Sequence, residues 1–155
     1  MESLVCILMD AFFIALLVVC SIADLKSRIV PNVIVLLLVC LDIAHVSWMI
    51  STNSTWWTYP AGLILAVPFF VGWLRGGIGA GDVKVLISVG LYLGLQNSLI
   101  AFAFMIPILA VLMIRSWIKN TTVKCRIPFA PVITIGATSA VLLRYVYVLI
   151  GGGIV

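Results

Sequence analysis

One long apolar run follows another along almost the whole chain, at 4–23, 31–50, 60–75, 83–95, 97–114 and 129–150, with only short polar stretches between them. A helix crosses a bilayer with about 20 apolar residues. A water-soluble domain of this length needs a charged surface, which a chain with 9% charged and 65% hydrophobic residues cannot supply. With a mean hydropathy of +1.33, the chain reads as all-α and polytopic, with about six transmembrane helices. The runs are continuous rather than alternating in polarity, which argues against a transmembrane barrel. The third and fourth spans are short. Either these spans tilt little, or the loop between them dips into the membrane where protein or a water-filled cavity covers its backbone.

Of nine Lys and Arg, eight fall near alternate loops: Lys26 and Arg28, then Arg75 and Lys84, then Arg115, Lys119, Lys124 and Arg126. Basic loops stay in the cytoplasm. The uncharged segment STNSTWWTYP at 51–60 and the turn expected around Gln96 and Asn97 then face outward, with Trp56, Trp57 and Tyr59 as an interfacial belt. Six spans put both termini outside. Topology accounts for the net charge of +4, so no nucleic-acid partner is expected. The opening MESLVCILMD lacks the basic start of a secretory signal and is expected to remain as the first helix. Cys6, Cys20, Cys40 and Cys125 form no Cys-x-x-Cys pair and read as reduced packing residues, with no metal site implied. Without repeats or linkers, residues 1–155 read as one domain in the lipid bilayer.

Only five residues are acidic, and two of them, Asp24 and Asp82, sit where apolar spans meet basic loops. An ionisable residue beside a membrane span is costly and marks a functional site. Asp24 lies in DLKSRIVPN, where Pro31 suits the first turn of a helix. Asp82 lies in RGGIGAGDVK, where Gly76, Gly77, Gly79 and Gly81 allow positive φ and close approach of another chain. Asp82 is placed at a helix N-terminus, which favours a negative charge. A nucleotide loop does not fit, because no strand precedes this run and no Gly-Lys-Ser/Thr follows.

The run D-L-K-S-R-I-V-P-N resembles the first aspartate motif of type IV prepilin peptidases, and G-A-G-D-V-K resembles their G-x-G-D motif. IPFAPVITIGA at 127–137 is similar to the start of the family's final helix. Ile29 and Val30 stand where members often have Arg and Ile, with the Asp to Pro-Asn spacing kept. The resemblance implies an aspartic endopeptidase with Asp24 and Asp82 as the catalytic pair. Gly79, Gly81 and Lys84 are expected to contact the substrate. That substrate would be a prepilin whose basic leader is cut off at the cytoplasmic face of the bacterial inner membrane. The cysteine-paired methyltransferase domain of longer members is absent from these residues, so a short, protease-only form like those of Flp/Tad pilus systems is expected. The presenilin group, which also has G-x-G-D, places its other aspartate after Tyr; here Ala23 precedes Asp24.

Such a pair works by general acid–base chemistry. One carboxylate takes a proton from water while its protonated partner polarises the scissile carbonyl, with no acyl-enzyme and no cofactor. The two titrate as a coupled unit, and the helix N-terminus favours Asp82 as the ionised member. Asp10, Asp42, His45 and Arg144 fall at similar depth in the outer half of the membrane, so Arg144 is expected to pair with Asp10 or Asp42 in a structural network. The alternative is a small proton-coupled transporter or channel that uses Asp10, Asp42 and His45.

Overall fold

The computed structural model describes residues 2–27, 30–52, 56–76, 78–118 and 129–151. The expectations placed on Arg28, Gly77, Lys119, Lys124, Cys125 and Arg126, and on the side chain of Arg115, lie outside what it describes. All regular elements among these residues are helical: α1 Glu2–Ser27, α2 Asn32–Ser51, α3 Thr58–Ala61, a 3₁₀ turn Gly62–Ala66, α4 Val67–Leu74, α5 Ala80–Ile118 and α6 Ala130–Leu149. Four helical stretches are long and apolar enough to cross a membrane: Leu4–Ser27, Asn32–Ser51, Ala80–Leu112 and Ala130–Leu149. The chain is an integral membrane protein on that ground.

Local chemistry sets the boundaries. Pro31 (φ −62°, ψ 131°) stands ahead of α2, and its carbonyl accepts the N–H groups of Ile34 and Val35. At the far end, the Trp48 carbonyl accepts both the Thr52 N–H at 3.1 Å and the Ser51 hydroxyl at 2.7 Å. The expected third span, 60–75, is a broken segment: α3, the 3₁₀ turn and α4 follow one another from Thr58 to Leu74. Pro60 and Pro68 lack the N–H that a continuous helix would use, and the chain tightens to 3₁₀ geometry between them.

The fourth and fifth expected spans belong to one element, α5, interrupted at Gly94 (φ 72°, ψ 176°). The turn was expected at Gln96 and Asn97, but both are helical, and Asn97 Nδ2 donates to the Leu93 carbonyl at 3.1 Å. A φ of 72° favours glycine, so the break falls on Gly94 rather than on its polar neighbours.

α5 is central, with α2, α3, the 3₁₀ turn, α4 and α6 packed on it, while α1 packs on α2 and α6. Leu17, Leu38, Leu86, Val89, Met105 and Ile133 are among the buried core side chains. Small residues set the closest approaches. A Cβ on Gly62 would lie 2.0 Å from the Gly90 carbonyl oxygen, and one on Gly90 would lie 2.7 Å from the Gly62 oxygen. Without a hydrophobic drive between helices in lipid, such backbone contact supplies the packing energy. Further along the broken segment, the Phe69 ring lies 5.5 Å from Phe102 and 6.1 Å from Phe129.

Candidate active site

Asp24 occupies the last turn of α1 and is 6% exposed. Its setting follows from the bonds that the start of α6 must find. Val132 and Ile133 donate to the Phe129 carbonyl, Pro131 has no N–H, and Phe129 supplies no side-chain cap. The Ala130 N–H is left over, and it donates to Asp24 Oδ2 at 3.2 Å. A carboxylate from α1 thus caps α6, as a Ser or Asp at its own N-cap would otherwise do. The Thr134 hydroxyl, 3.1 Å from the Leu17 carbonyl and 2.8 Å from that of Ala130, fastens the same two helices one turn deeper.

Asp82 lies in the first turn of α5, where Gly79 precedes the helix and accepts the Val83 N–H. Its carboxylate folds back over Gly79, with Oδ2 only 2.9 Å from where a Cβ on that glycine would stand. Gly81 presses on Val30, and a Cβ there would meet the Val30 Cβ at 3.1 Å. Lys84 reaches the first motif as well: its Nζ donates to Asn32 Oδ1 at 3.3 Å. The two motifs therefore meet where α1 ends and α2, α5 and α6 begin. The helix N-terminus that favoured Asp82 at sequence level is shared by Asp24 through α6.

Gly79 carries the first testable consequence. Gly79→Ala should leave the chain folded but displace the Asp82 carboxyl, lowering any activity that depends on it by about tenfold to a hundredfold. Full activity at normal membrane levels would show that the carboxyl does not need its place over Gly79.

Deeper in the bundle, Arg144 forms an ion pair with Asp10 Oδ2, the Tyr145 hydroxyl donates to the same oxygen, and Tyr92 donates to Oδ1 at 2.9 Å. Asp42 stands apart from Arg144 and accepts from the Ser88 hydroxyl at 2.6 Å. Among the described residues, Asp42 Oδ1 and His45 Nδ1 are buried without a hydrogen-bond partner. The Tyr92 ring stacks against both Phe13 (3.9 Å) and His45 (4.2 Å), which adds apolar contact around the polar groups. Tyr92, Ser88 and Tyr145 escaped the sequence reading; the signal was a polar group at helical depth equal to Asp10 and Asp42.

The Asp10 carboxylate has no solvent to turn to. Arg144→Ala should lower stability by about 3 kcal/mol, because the half-buried cation is removed while the buried Asp10 carboxylate stays. Folded yield in membranes and thermal unfolding in detergent would check it. Unchanged yield together with unchanged stability would remove the structural role of the pair.

Among the described residues, no group of three His, Cys, Asp or Glu comes together as a metal centre would require. Asp24 and Asp82 each stand at a helix end, where a carboxyl can take up or give a proton.

A model of the type IV leader peptidase family matches residues 11–114. The prepilin leader peptidase/N-methyltransferase of Bacillus subtilis (strain 168) is 30% identical over 142 residues, which are 87% of this chain and 54% of that protein. The chain thus spans about half the length of the curated relative it matches. No solved structure matches it significantly. Both aspartate motifs fall within the matched residues, two thirds of the sequence, and the chain belongs to the type IV leader peptidase family.

Proposed function

We propose that the chain is an intramembrane aspartic endopeptidase that removes the leader from type IV prepilins, with Asp24 and Asp82 as its catalytic pair. The observation that carries this reading is the meeting of the two motifs: Gly81 against Val30, Lys84 on Asn32, and Asp24 on the start of α6. In the reaction, one carboxylate takes a proton from the attacking water. The other, protonated, gives its proton to the carbonyl oxygen as the tetrahedral hydrate forms; on collapse the first passes the proton it took from water to the leaving amine, and the second recovers one from the hydrate hydroxyl. The pair ends each turnover as it began. Gly79 and Gly81 lend backbone to an extended substrate segment.

Residues 1–155 act as one domain with six crossings. The fold-back at Gly94 is supported by Ser98, whose hydroxyl lies 3.5 Å from the Gly90 carbonyl. Eight residues of straight helix would separate the two by about 12 Å. Phe102 beside Phe69 supports the same reversal, since Thr58, at the other end of the broken segment, lies beside Gly94. α5 then crosses twice. Six crossings put the termini outside and the aspartates at the cytoplasmic face of the bacterial inner membrane, on the side of Lys26, Arg75 and Lys84. The basic leader of the substrate lies on that side, and cleavage falls beside its apolar helix. Flp-like pilins are the proposed class. Cleavage without methyl transfer is proposed for these residues, whose four cysteines include no Cys-x-x-Cys pair.

The Asp10 network favours this reading over a proton-coupled transporter, because three donors occupy Asp10 and leave it no free oxygen. The experiment is co-expression with a Flp-like pilin precursor. Release of a mature pilin without N-methylation supports the reading, and an intact precursor at normal enzyme levels rejects it.

A further inference from the structure

Two contacts run side by side between the start of α2 and the start of α5. Gly81 packs closely on Val30: a Cβ there would stand 3.1 Å from the Val30 Cβ, so Val30 would have to give way. One turn further along α5, Lys84 Nζ bonds Asn32 Oδ1 across 52 residues of sequence. The Lys84–Asn32 bond serves neither helix on its own. The Pro31 carbonyl already takes up the first free N–H groups of α2, and Asn32 turns its amide oxygen outward to α5 instead. The Lys84 ammonium is likewise held at the seam between the motifs, with its charge directed to a neutral acceptor on α2.

We propose that Lys84 is a positioning residue: through Asn32 it holds the first turn of α5, and with it Asp82, in register with the turn that follows Asp24. Lys84 therefore does not act as the substrate contact expected from its place in the motif. The inference rests on the aspartic-peptidase reading given above. Asp82 lies two residues before Lys84 on a single helical turn, and Asp24 precedes Val30 by six residues, so sliding along this seam changes the separation of the two carboxyls. The bond is exposed, and its free energy in water is small: about 1 kcal/mol is typical of one hydrogen bond. Its value is geometric. Misplacement of reacting groups by about 1 Å costs on the order of a hundredfold in rate.

The test uses the full chain in membranes with a purified pilin precursor, and reads kcat and KM separately. Lys84→Met is expected to lower kcat by about tenfold or more with KM unchanged. Asn32→Leu should do the same, and the double variant should be no slower than either alone, since both remove one bond. Lys84→Arg, which keeps a cationic donor, should recover most of the lost rate. A raised KM with kcat intact would make Lys84 a substrate contact and overturn the proposal. So would additive losses in the double variant, or a native rate in Lys84→Met. Asp82→Asn, run alongside, separates the two levels: if it cleaves as the native chain does, the aspartic-peptidase reading fails, whatever Lys84 does.

Discussion

Asp24→Asn and Asp82→Asn should each stop processing of a co-expressed pilin precursor, with a loss on the order of 10²–10⁴-fold, while both variants reach normal membrane levels. The loss follows from the chemistry: an amide can neither take a proton from water nor give one to a carbonyl at neutral pH. Retention of the fold follows from the structure. At position 24 the group that matters to folding is an oxygen that accepts the Ala130 N–H, and an Asn side chain keeps one. Asp24→Ala should therefore differ from Asp24→Asn, losing activity and also about 1 kcal/mol of stability as the start of α6 is left uncapped. The measurement is the ratio of precursor to mature pilin at matched enzyme levels. Unchanged processing in either Asn variant would exclude that residue from catalysis and turn attention to Asp10 and Asp42.

Gly62→Ala should destabilise the folded chain by about 3 kcal/mol, a large effect for one added methyl group. A Cβ at that position would stand 2.0 Å from the Gly90 oxygen and 2.8 Å from the Gly90 carbon, both backbone atoms of the central helix. No rotamer change relieves such a clash; the broken segment and α5 have to separate. In lipid, the lost contact is not recovered by hydrophobic attraction, since the acyl chains solvate an exposed apolar face as well as another helix does. Thermal unfolding in detergent, compared with Ile64→Ala on the exposed side of the same segment, isolates the effect. Equal melting temperatures for the two variants would show that the Gly62–Gly90 approach is not needed.

Much of this was legible in the sequence where single residues carry a strong local meaning. Asp24 and Asp82 stood out because charge beside an apolar run is expensive, and the glycines of the second motif because they allow positive φ and close approach; among those described, Gly76 has the positive φ and Gly81 the close contact, on Val30. The break in α5 was legible in kind but not in place. Gln96 and Asn97 look like a turn by polarity, whereas the deciding property is the backbone angle at Gly94, which composition does not report. Gly90 and Gly94, four residues apart, carried the signal for close helix packing that the reading passed over. Lys84 drew a role from its neighbour Asp82; its partner Asn32 lies 52 residues away and only folding brings them together. The Asp24 to Ala130 bond was beyond reach for the same reason, because its donor is a main-chain amide and any residue but proline supplies one.

That bond has a consequence for how the protein is made. Ala130 enters the chain 106 residues after Asp24, so four or more helical segments are synthesised and inserted before the Asp24 carboxylate meets its donor. Until α6 docks, the Asp24 side chain lacks this contact. A ribosome-bound or truncated chain lacking α6 would therefore hold both aspartates without this bond, and the proposed cleavage would have to wait for α6 to dock.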